Sequence, residues 1–242
     1  MNHIDSLSFD SIQKPAHRFS IITLFQEFFQ TPLAAGILGR AIEKNFISVD
    51  FANPRNYGIG RYRSVDDNPY GGGAGVIMRP DPIIKALESI ERESHEAIIL
   101  LSAAGTPYSQ KKAEALRSCK HIIFICGRYE GVDHRITQFC TDEISIGDYI
   151  LTGGEFGALI IIDSLARLIP GVVNNADSIV HESFSDGLLE YPQYTRPKKF
   201  RGMEVPEVLM SGNHQQIEKW RREQSIEITK TRRPDLLKKL GI

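Results

Sequence analysis

The sequence has little cysteine, and it lacks the long apolar segments that membrane spanning or secretion would require. Its three cysteines, Cys119, Cys126 and Cys140, cannot form a closed disulfide framework and lack the CxxC spacing typical of a zinc site. Residues 1–18 do not contain the basic and then apolar segments of a secretory signal. The longest apolar runs, AIILLSAAG and ALIIIDSLA, are far short of the ~20 residues that a membrane-spanning helix needs. We therefore expect a cytoplasmic protein with no membrane partner.

The common motifs for binding nucleotide phosphates and for covalent catalysis are also missing. The sequence contains neither GxGxxG nor GxxxxGK[ST], and it has no GxSxG nucleophile motif. Its seven histidines show neither HxxxH nor HExxH spacing, so no metal-ligating residues are assigned. These absences disfavour kinases and nucleotide-hydrolysing switches, and they leave no signature of a covalent nucleophile.

The charge is balanced over the whole chain but not along it. The 242 residues are 41% hydrophobic and 24% charged, which is ordinary globular composition, and the net charge is −1. Residues 190–242 hold 12 Lys and Arg against 7 Asp and Glu, a net +5, whereas the preceding 189 residues hold 17 against 23, a net −6. A basic C-terminal part on an acidic body indicates an anionic partner for that part.

Apolar runs and helical patterns alternate through the first two thirds of the chain. Strands are predicted at 19–25, 46–52, 97–102, 121–127 and 143–147, and helices up to residue 41 and at 81–95, 109–119, 131–140 and 155–168. Strands separated by helices of 10–15 residues are typical of βαβ units with a parallel sheet covered on both faces. The predicted fold class is therefore α/β.

The pattern changes after residue 170, and four regions are predicted. They are a polar N-terminal extension (1–17), the α/β domain (18–172), a flexible linker (173–188) and a small all-helical domain (189–242) that carries the basic excess. Either Ser211 or Asn213 could cap a helix that runs into the segment around Trp220.

Three glycine-containing turns follow predicted strands: LSAAG (101–105), CGRYEG (126–131) and SIGDYILTGGE (145–155). The carboxyl ends of parallel strands meet at one edge of a sheet, where loops can offer backbone N–H and C=O groups to a ligand. Together the three turns could enclose a nucleotide-like ligand, although each glycine could also simply end a strand. The loop DDNPYGGG (66–73) is either a plain flexible loop or one that a ligand or partner orders.

Six motifs, taken in order and spacing, resemble a known family. They are VDDNPYGGGAGVIM (65–78), CGRYEGVDHR (126–135), SIGDYILTGGE (145–155), SLARLIPGVV (164–173), YTRP (194–197) and GMEVPEVLMSGNH (202–214). Over residues 19–240 the chain resembles the bacterial tRNA (guanine-37-N1)-methyltransferases, the TrmD family of the SPOUT superfamily. The resemblance implies a deep trefoil knot late in the α/β domain, S-adenosylmethionine bound inside it, and a homodimer whose helical domain grips the anticodon arm of tRNA. It leaves a requirement for magnesium open.

The resemblance also assigns the binding residues. The cofactor pocket would comprise Leu101, Ser102, Gly127, Tyr129, Glu130, Ile146, Gly147, Asp148, Tyr149, Ile150, Leu151, Gly153 and Gly154. Contacts to tRNA phosphates would come from the basic residues Lys198, Lys199 and Arg201.

Two residues would carry the chemistry. In the family an arginine before an IPG turn and an aspartate before a Ser-Phe pair have the central roles, and the arginine matches Arg167. The aspartate is replaced by Glu182, which keeps a carboxylate base but extends it by one methylene. Asp177 is the alternative base, and Glu182 is preferred because it holds the family's register relative to Ser183.

Two rival functions remain at this point. The chain could be an RNA-binding module that has kept the fold and lost the reaction. The replacement of the family aspartate by Glu182 would then be a sign of that loss. It could also be a related knotted methyltransferase that acts on another RNA position or on ribose. The motif GMEVPEVLMSGNH argues against both, because it belongs to the helical domain of the guanine-37 enzymes.

Overall fold

The computed structural model describes residues 15–173 and 182–241. These residues form two compact units, one in each range. Three parts of the chain lie outside the described residues: positions 1–14 of the predicted N-terminal extension, residues 174–181 of the predicted linker, and residue 242. Asp177 is in the second of them.

The first unit is built around a parallel sheet. Its strands are β1 (His17–Ile22), β2 (Ile47–Ala52), β3 (Asp66–Asp67), β4 (Ile77–Met78), β5 (Glu96–Pro107), β6 (His121–Cys126) and β7 (Asp142–Ser145). Five of them pair in parallel in the order β2-β1-β6-β5-β7, while β3 and β4 form a separate antiparallel pair. The predicted α/β fold with a parallel sheet is thus confirmed.

The helices of this unit are shorter than the sequence pattern predicts. They are α1 (Gln30–Ala34), α2 (Gly36–Glu43), α3 (Pro80–Glu88), α4 (Gln110–Leu116) and α5 (Glu155–Ala166), with 3₁₀ turns at Gln26–Phe29, Pro54–Tyr57 and His134–Phe139. The helix predicted at 131–140 is therefore wrong in type. The Asp133 side chain accepts a hydrogen bond from the Arg135 amide (2.9 Å), and the chain is extended again at Cys140, which leaves room only for a 3₁₀ turn.

The core of the first unit lies on the central strands. All six residues of β6 are buried, and Phe19 of β1 stacks on Phe124 with ring centroids 6.3 Å apart. Both faces of such a sheet are covered, which is why these strands are continuous apolar runs without alternation. Helix α5 is likewise apolar on nearly all sides; it packs against β6, α2 and α4, while Phe156 and Ile160 are exposed in the single chain.

The second unit consists of a hairpin and helices. Its elements are β8 (Lys199–Phe200), β9 (Met203–Glu204), a 3₁₀ turn at Glu207–Met210, and the helices α6 (His214–Arg232) and α7 (Pro234–Leu240). Asn213 is the cap of α6, since its side chain accepts a hydrogen bond from the Gln216 amide (3.2 Å). The prediction of an all-helical unit missed the hairpin, whose turn has positive φ at Arg201 (+48°) and Gly202 (+84°).

Candidate active site

A cavity of about 450 Å³ lies at the carboxyl ends of β5, β6 and β7. Most of its lining comes from three chain segments, residues 100–104, 127–132 and 143–154. Its volume is within the range of about 300–1,000 Å³ that is usual for small-molecule sites, and its position follows the rule for open parallel sheets.

The first lining segment is a bulge inside a strand, where the sequence predicts a turn. Leu101 and Thr106 of β5 both lie opposite Ile144 of β7, so residues 102–105 loop out between them. Gly105 permits this path, because a Cβ atom there would lie 2.5 Å from the Ile144 backbone nitrogen. The strand therefore continues to Pro107 instead of ending near residue 102.

Glycine contacts hold the other two segments together. The Gly154 amide donates a hydrogen bond to the Gly127 carbonyl (3.1 Å). A Cβ atom on Gly154 would lie 2.8 Å from the Cα of Cys126, and one on Gly157 would lie 3.1 Å from Cδ1 of Leu101. The glycines after β7 thus serve close backbone packing across the ends of β5 and β6.

A buried ion pair fixes the same junction. The carboxylate of Glu155, whose residue is 1% exposed, lies 3.2 Å from Nε and 3.1 Å from Nη2 of Arg128, and it accepts a hydrogen bond from Thr23 Oγ1 (2.7 Å). Arg128 also donates to the Thr152 carbonyl (3.2 Å) and lies over the Phe25 ring at 4.5 Å. The sequence analysis did not predict this clamp between the second and third segments.

The cavity brings together twelve of the thirteen residues predicted to bind the cofactor, and Asp148 is the one that does not line it. Other lining residues were missed, among them Arg128, His134 and Glu143. Arg128 and His134 are part of the CGRYEGVDHR motif, so the motif could have been used to predict that they line the cavity. Glu143 belongs to the predicted strand at 143–147, and it pairs with Leu100 of β5, shortly before the residues that loop out.

The thiol nearest the cavity is held in its neutral form. Cys126 ends β6 and is fully buried, and burial raises the pKa of its thiol well above the usual value. Burial also raises the pKa of the Cys140 thiol to about 11. A neutral thiol is a poor nucleophile, so neither cysteine is suited to covalent catalysis.

The two predicted catalytic residues lie in different units. Arg167 directly follows α5 in the first unit and is half-buried. Glu182 is half-buried in the second unit, where it lines a cleft of about 140 Å³ together with Tyr191, Arg221 and Arg222. In this cleft the Arg221 guanidinium lies 4.8 Å from the centroid of the Tyr191 ring.

The three residues predicted to contact RNA lie at the β8–β9 hairpin and are exposed. Lys198 precedes the hairpin, and Lys199 forms an ion pair with Glu204 across it (2.9 Å). The guanidinium of Arg201, in the turn, lies 5.4 Å from the centroid of the Phe200 ring.

The described ranges contain neither a candidate metal site nor a candidate membrane span. No three side chains of His, Cys, Asp or Glu there are grouped so that they could hold a metal ion. We therefore assign no residues to magnesium. None of the helices in residues 15–173 and 182–241 is long and apolar enough to cross a membrane.

Comparison with known proteins agrees with the motif analysis. The family model for tRNA (Guanine-1)-methyltransferase TrmD matches residues 17–239. A tRNA (guanine-N(1)-)-methyltransferase of Brevibacillus brevis is 50% identical over 226 residues, which cover 93% of each chain. Proteins of the same name from Carboxydothermus hydrogenoformans and Geobacillus kaustophilus are each 53% identical, over 93% and 91% of this chain and 89% and 91% of their own lengths. The chain therefore belongs to the tRNA (guanine-1)-methyltransferase TrmD family.

Proposed function

We propose that the chain transfers a methyl group from S-adenosylmethionine to N1 of guanine-37 in tRNA, next to the anticodon. The family match over residues 17–239 carries the proposal. The cavity at the ends of β5, β6 and β7 supports it, because twelve of the thirteen residues that the resemblance assigns to the cofactor line that cavity.

The cavity fits S-adenosylmethionine in size and in chemistry. Leu101, Ile146 and Leu151 offer apolar surface, and Glu130 and Glu143 offer carboxylates to a ligand that carries a sulfonium and an ammonium group. When bound, S-adenosylmethionine supplies an electrophilic methyl group. The bulge at 102–105, the glycine contacts and the Arg128–Glu155 pair keep the lining segments in place, so the chain contributes orientation, which can account for much of the rate enhancement.

Glu182 and Arg167 then act on the guanine. Guanine N1 carries a proton at neutral pH, and removing it requires a base within hydrogen-bond reach. We assign that role to Glu182 and assign to Arg167 the stabilisation of negative charge that develops on O6. The guanine leaves its stack so that both residues can reach it.

The proposed enzyme is a knotted homodimer. Support for the knot comes from the sheet order, in which the chain leaves the edge strand β7 and passes back across the ends of β5 and β6 before α5. Support for the dimer comes from apolar side chains beside the cavity that are exposed in the single chain, such as Ile150 (85% exposed) and Tyr149. In a dimer, Arg167 of one subunit and Glu182 of the other can serve one site.

A methyl-transfer assay on two tRNA transcripts tests the proposal. One transcript has guanine at position 37 and the other has adenine, and cofactor binding is measured by calorimetry. We expect cofactor binding, and methylation of the guanine transcript only. Cofactor binding with methylation elsewhere in the RNA would favour the related methyltransferase, and RNA binding without methylation would favour the inactive binding module.

The role of the β8–β9 hairpin is tested in the same system. Replacing Lys198, Lys199 and Arg201 by Ala should flatten the dependence of log K on log salt by about 0.7 for each phosphate that is no longer neutralised. Lys199 is already paired with Glu204, so we expect its single variant to contribute least. Cofactor affinity should stay unchanged, and an unchanged slope would remove this hairpin from the RNA interface.

A further inference from the structure

Residues 59–64 form a small hairpin, called here the tip hairpin, that presents an aromatic ring between two arginines. The Ile59 amide donates to the Ser64 carbonyl (2.9 Å) and the Ser64 amide donates to the Ile59 carbonyl (3.0 Å), which closes the hairpin. Between them Arg61, Tyr62 and Arg63 are all exposed, and Tyr62 is 86% exposed. Neither the proposed function nor the six sequence motifs use these three residues.

The backbone gives the tip hairpin a defined shape. The Arg63 amide donates to the Gly60 carbonyl (3.2 Å), and both residues have positive φ, +49° and +70°. The chain before the hairpin packs closely on it, since a Cβ atom on Gly58 would lie 2.2 Å from the Arg63 carbonyl oxygen. A preformed loop loses less entropy on binding than a flexible one.

The charges of the tip hairpin lack partners within the part of the chain that the structure describes. Arg79, Arg128 and Arg135 of the same unit each form an ion pair with a carboxylate. Arg61 and Arg63 form none with any described residue. Residues 15–173 hold 16 Lys and Arg against 18 Asp and Glu, so two unpaired arginines one residue apart are a local positive surface that suits an anionic ligand.

The tip hairpin lies at the same edge of the sheet as the cavity. It follows the carboxyl end of β2, and β2 is two strands away from β6, a distance of about 10 Å at ordinary strand spacing. Backbone hydrogen bonds connect the two places. Arg79 donates to the carbonyl of Val65, directly after the hairpin (2.8 Å), and Met78 donates to the carbonyl of Gly131 in the cavity lining (2.9 Å).

We infer that the tip hairpin is an RNA contact, in which Arg61 and Arg63 bind phosphates and Tyr62 stacks on an unpaired base of the same strand. The inference rests on the proposed function for the choice of RNA as partner. Arginines that track a backbone beside an exposed aromatic ring are the usual means of holding single-stranded nucleic acid. Because the hairpin and the cavity lie at the same edge of the sheet, these side chains would hold nucleotides that neighbour the methylated base.

Binding of a tRNA transcript to the full-length chain tests the inference. The transcript has guanine at position 37, the chain is saturated with S-adenosylhomocysteine so that no methyl transfer occurs, and affinity is measured over a series of KCl concentrations. The double variant Arg61→Ala/Arg63→Ala should flatten the dependence of log K on log salt by about 1.4, which is about 0.7 for each of two phosphates. Tyr62→Ala should weaken binding by about tenfold without changing the slope, and Tyr62→Phe should bind like the parent chain.

A matched control removes the same charge from the opposite edge of the sheet. Lys44 and Lys120 are exposed and precede β2 and β6, so they lie at the amino ends of the strands. Their double Ala variant should change affinity by less than about twofold, because exposed charges beyond a Debye length are screened. Thermal unfolding and cofactor calorimetry check that all variants fold.

The outcomes separate this inference from the proposed function. If the parent chain methylates the transcript and the Arg61→Ala/Arg63→Ala variant keeps its salt slope, the inference is wrong. If the parent chain fails to methylate but binds with a slope that depends on these arginines, the proposed function is wrong and the RNA contact stands. A variant that changes the sedimentation of the RNA-free chain would show that the tip hairpin is a contact between copies of this chain, which also overturns the inference.

Discussion

The two units place their candidate residues in opposite ways. In the first unit the cavity is lined by backbone segments that are held by glycine contacts and by a buried ion pair, Arg128–Glu155. In the second unit the candidate residues are side chains on a hairpin and in a cleft, where charged groups pair at the surface, as Arg222 does with Asp186. A rigid lining suits a small cofactor that must be oriented, and exposed charged side chains suit a large anion.

The largest effect is expected in the second unit, at Glu182, which we propose as the general base. Glu182→Gln keeps the size and hydrogen bonding of the side chain but removes the base, so turnover should fall by about 10²–10⁴-fold, the usual contribution of general-base catalysis. Cofactor affinity should hardly change, because the cavity proposed to bind the cofactor belongs to the first unit. Single-turnover methylation and calorimetry measure the two quantities.

Two companion variants decide which carboxylate is the base. Glu182→Asp restores the residue usual in the family and should stay active. Asp177→Asn should leave methylation activity nearly unchanged. If Asp177→Asn lost methylation activity while Glu182→Gln kept it, the base would be Asp177.

The second prediction compares an ion pair from each unit. Glu155→Gln leaves the largely buried Arg128 without its counter-charge, and breaking such a pair typically costs about 3–5 kcal/mol of unfolding free energy. Glu223→Gln breaks the exposed pair with Lys219 in α6 and should cost less than about 0.5 kcal/mol. Urea unfolding of both variants makes the comparison, and equal costs would mean that the Arg128–Glu155 pair does not anchor the cavity.

The third prediction compares two glycines of the cavity lining. The φ of Gly154 is −77°, so Ala suits its backbone, but the new Cβ would lie 2.8 Å from the Cα of Cys126 and the strand end would have to move. Gly154→Ala should therefore cost about 1–3 kcal/mol of unfolding free energy and weaken cofactor binding. The Cβ of Gly127→Ala would lie 3.2 Å from Cγ1 of Val132 and no closer than 3.9 Å to the Gly131 backbone, so this variant should cost less on both counts. Denaturation and calorimetry of the pair test the close packing, and a harmless Gly154→Ala would contradict it.

The sheet could be predicted from sequence because its central strands are buried on both faces and are therefore unbroken apolar runs, as β6 is. The bulge at 102–105 could not, since it depends on two residues of β5 pairing with Ile144 of a strand about 40 residues later. The Arg128–Glu155 ion pair could not be predicted for the same reason. Neither residue has a distinctive local sequence, and only the path of the chain brings the two together. The family motifs predicted that residues of the three turns share one site, and they line one cavity, whereas spacing alone left the glycine turns open to a purely structural interpretation.

The smallest effect is expected at the amino ends of the strands, away from both candidate sites. His121 is fully buried and shares a hydrogen bond with Ser20 Oγ (2.8 Å), and burial is the main cause that lowers the pKa of its imidazole below 6.5. Burial likewise lowers the pKa of His17. The unfolded chain therefore binds more protons than the folded chain below about pH 6.5, and the free energy of unfolding should fall as the pH falls through that window. Urea unfolding at a series of pH values measures how steeply the free energy of unfolding changes with pH. We expect a smaller slope in His121→Gln, with the remaining slope due to His17. A slope that is unchanged in His121→Gln would mean that His121 is not a source of the acid sensitivity.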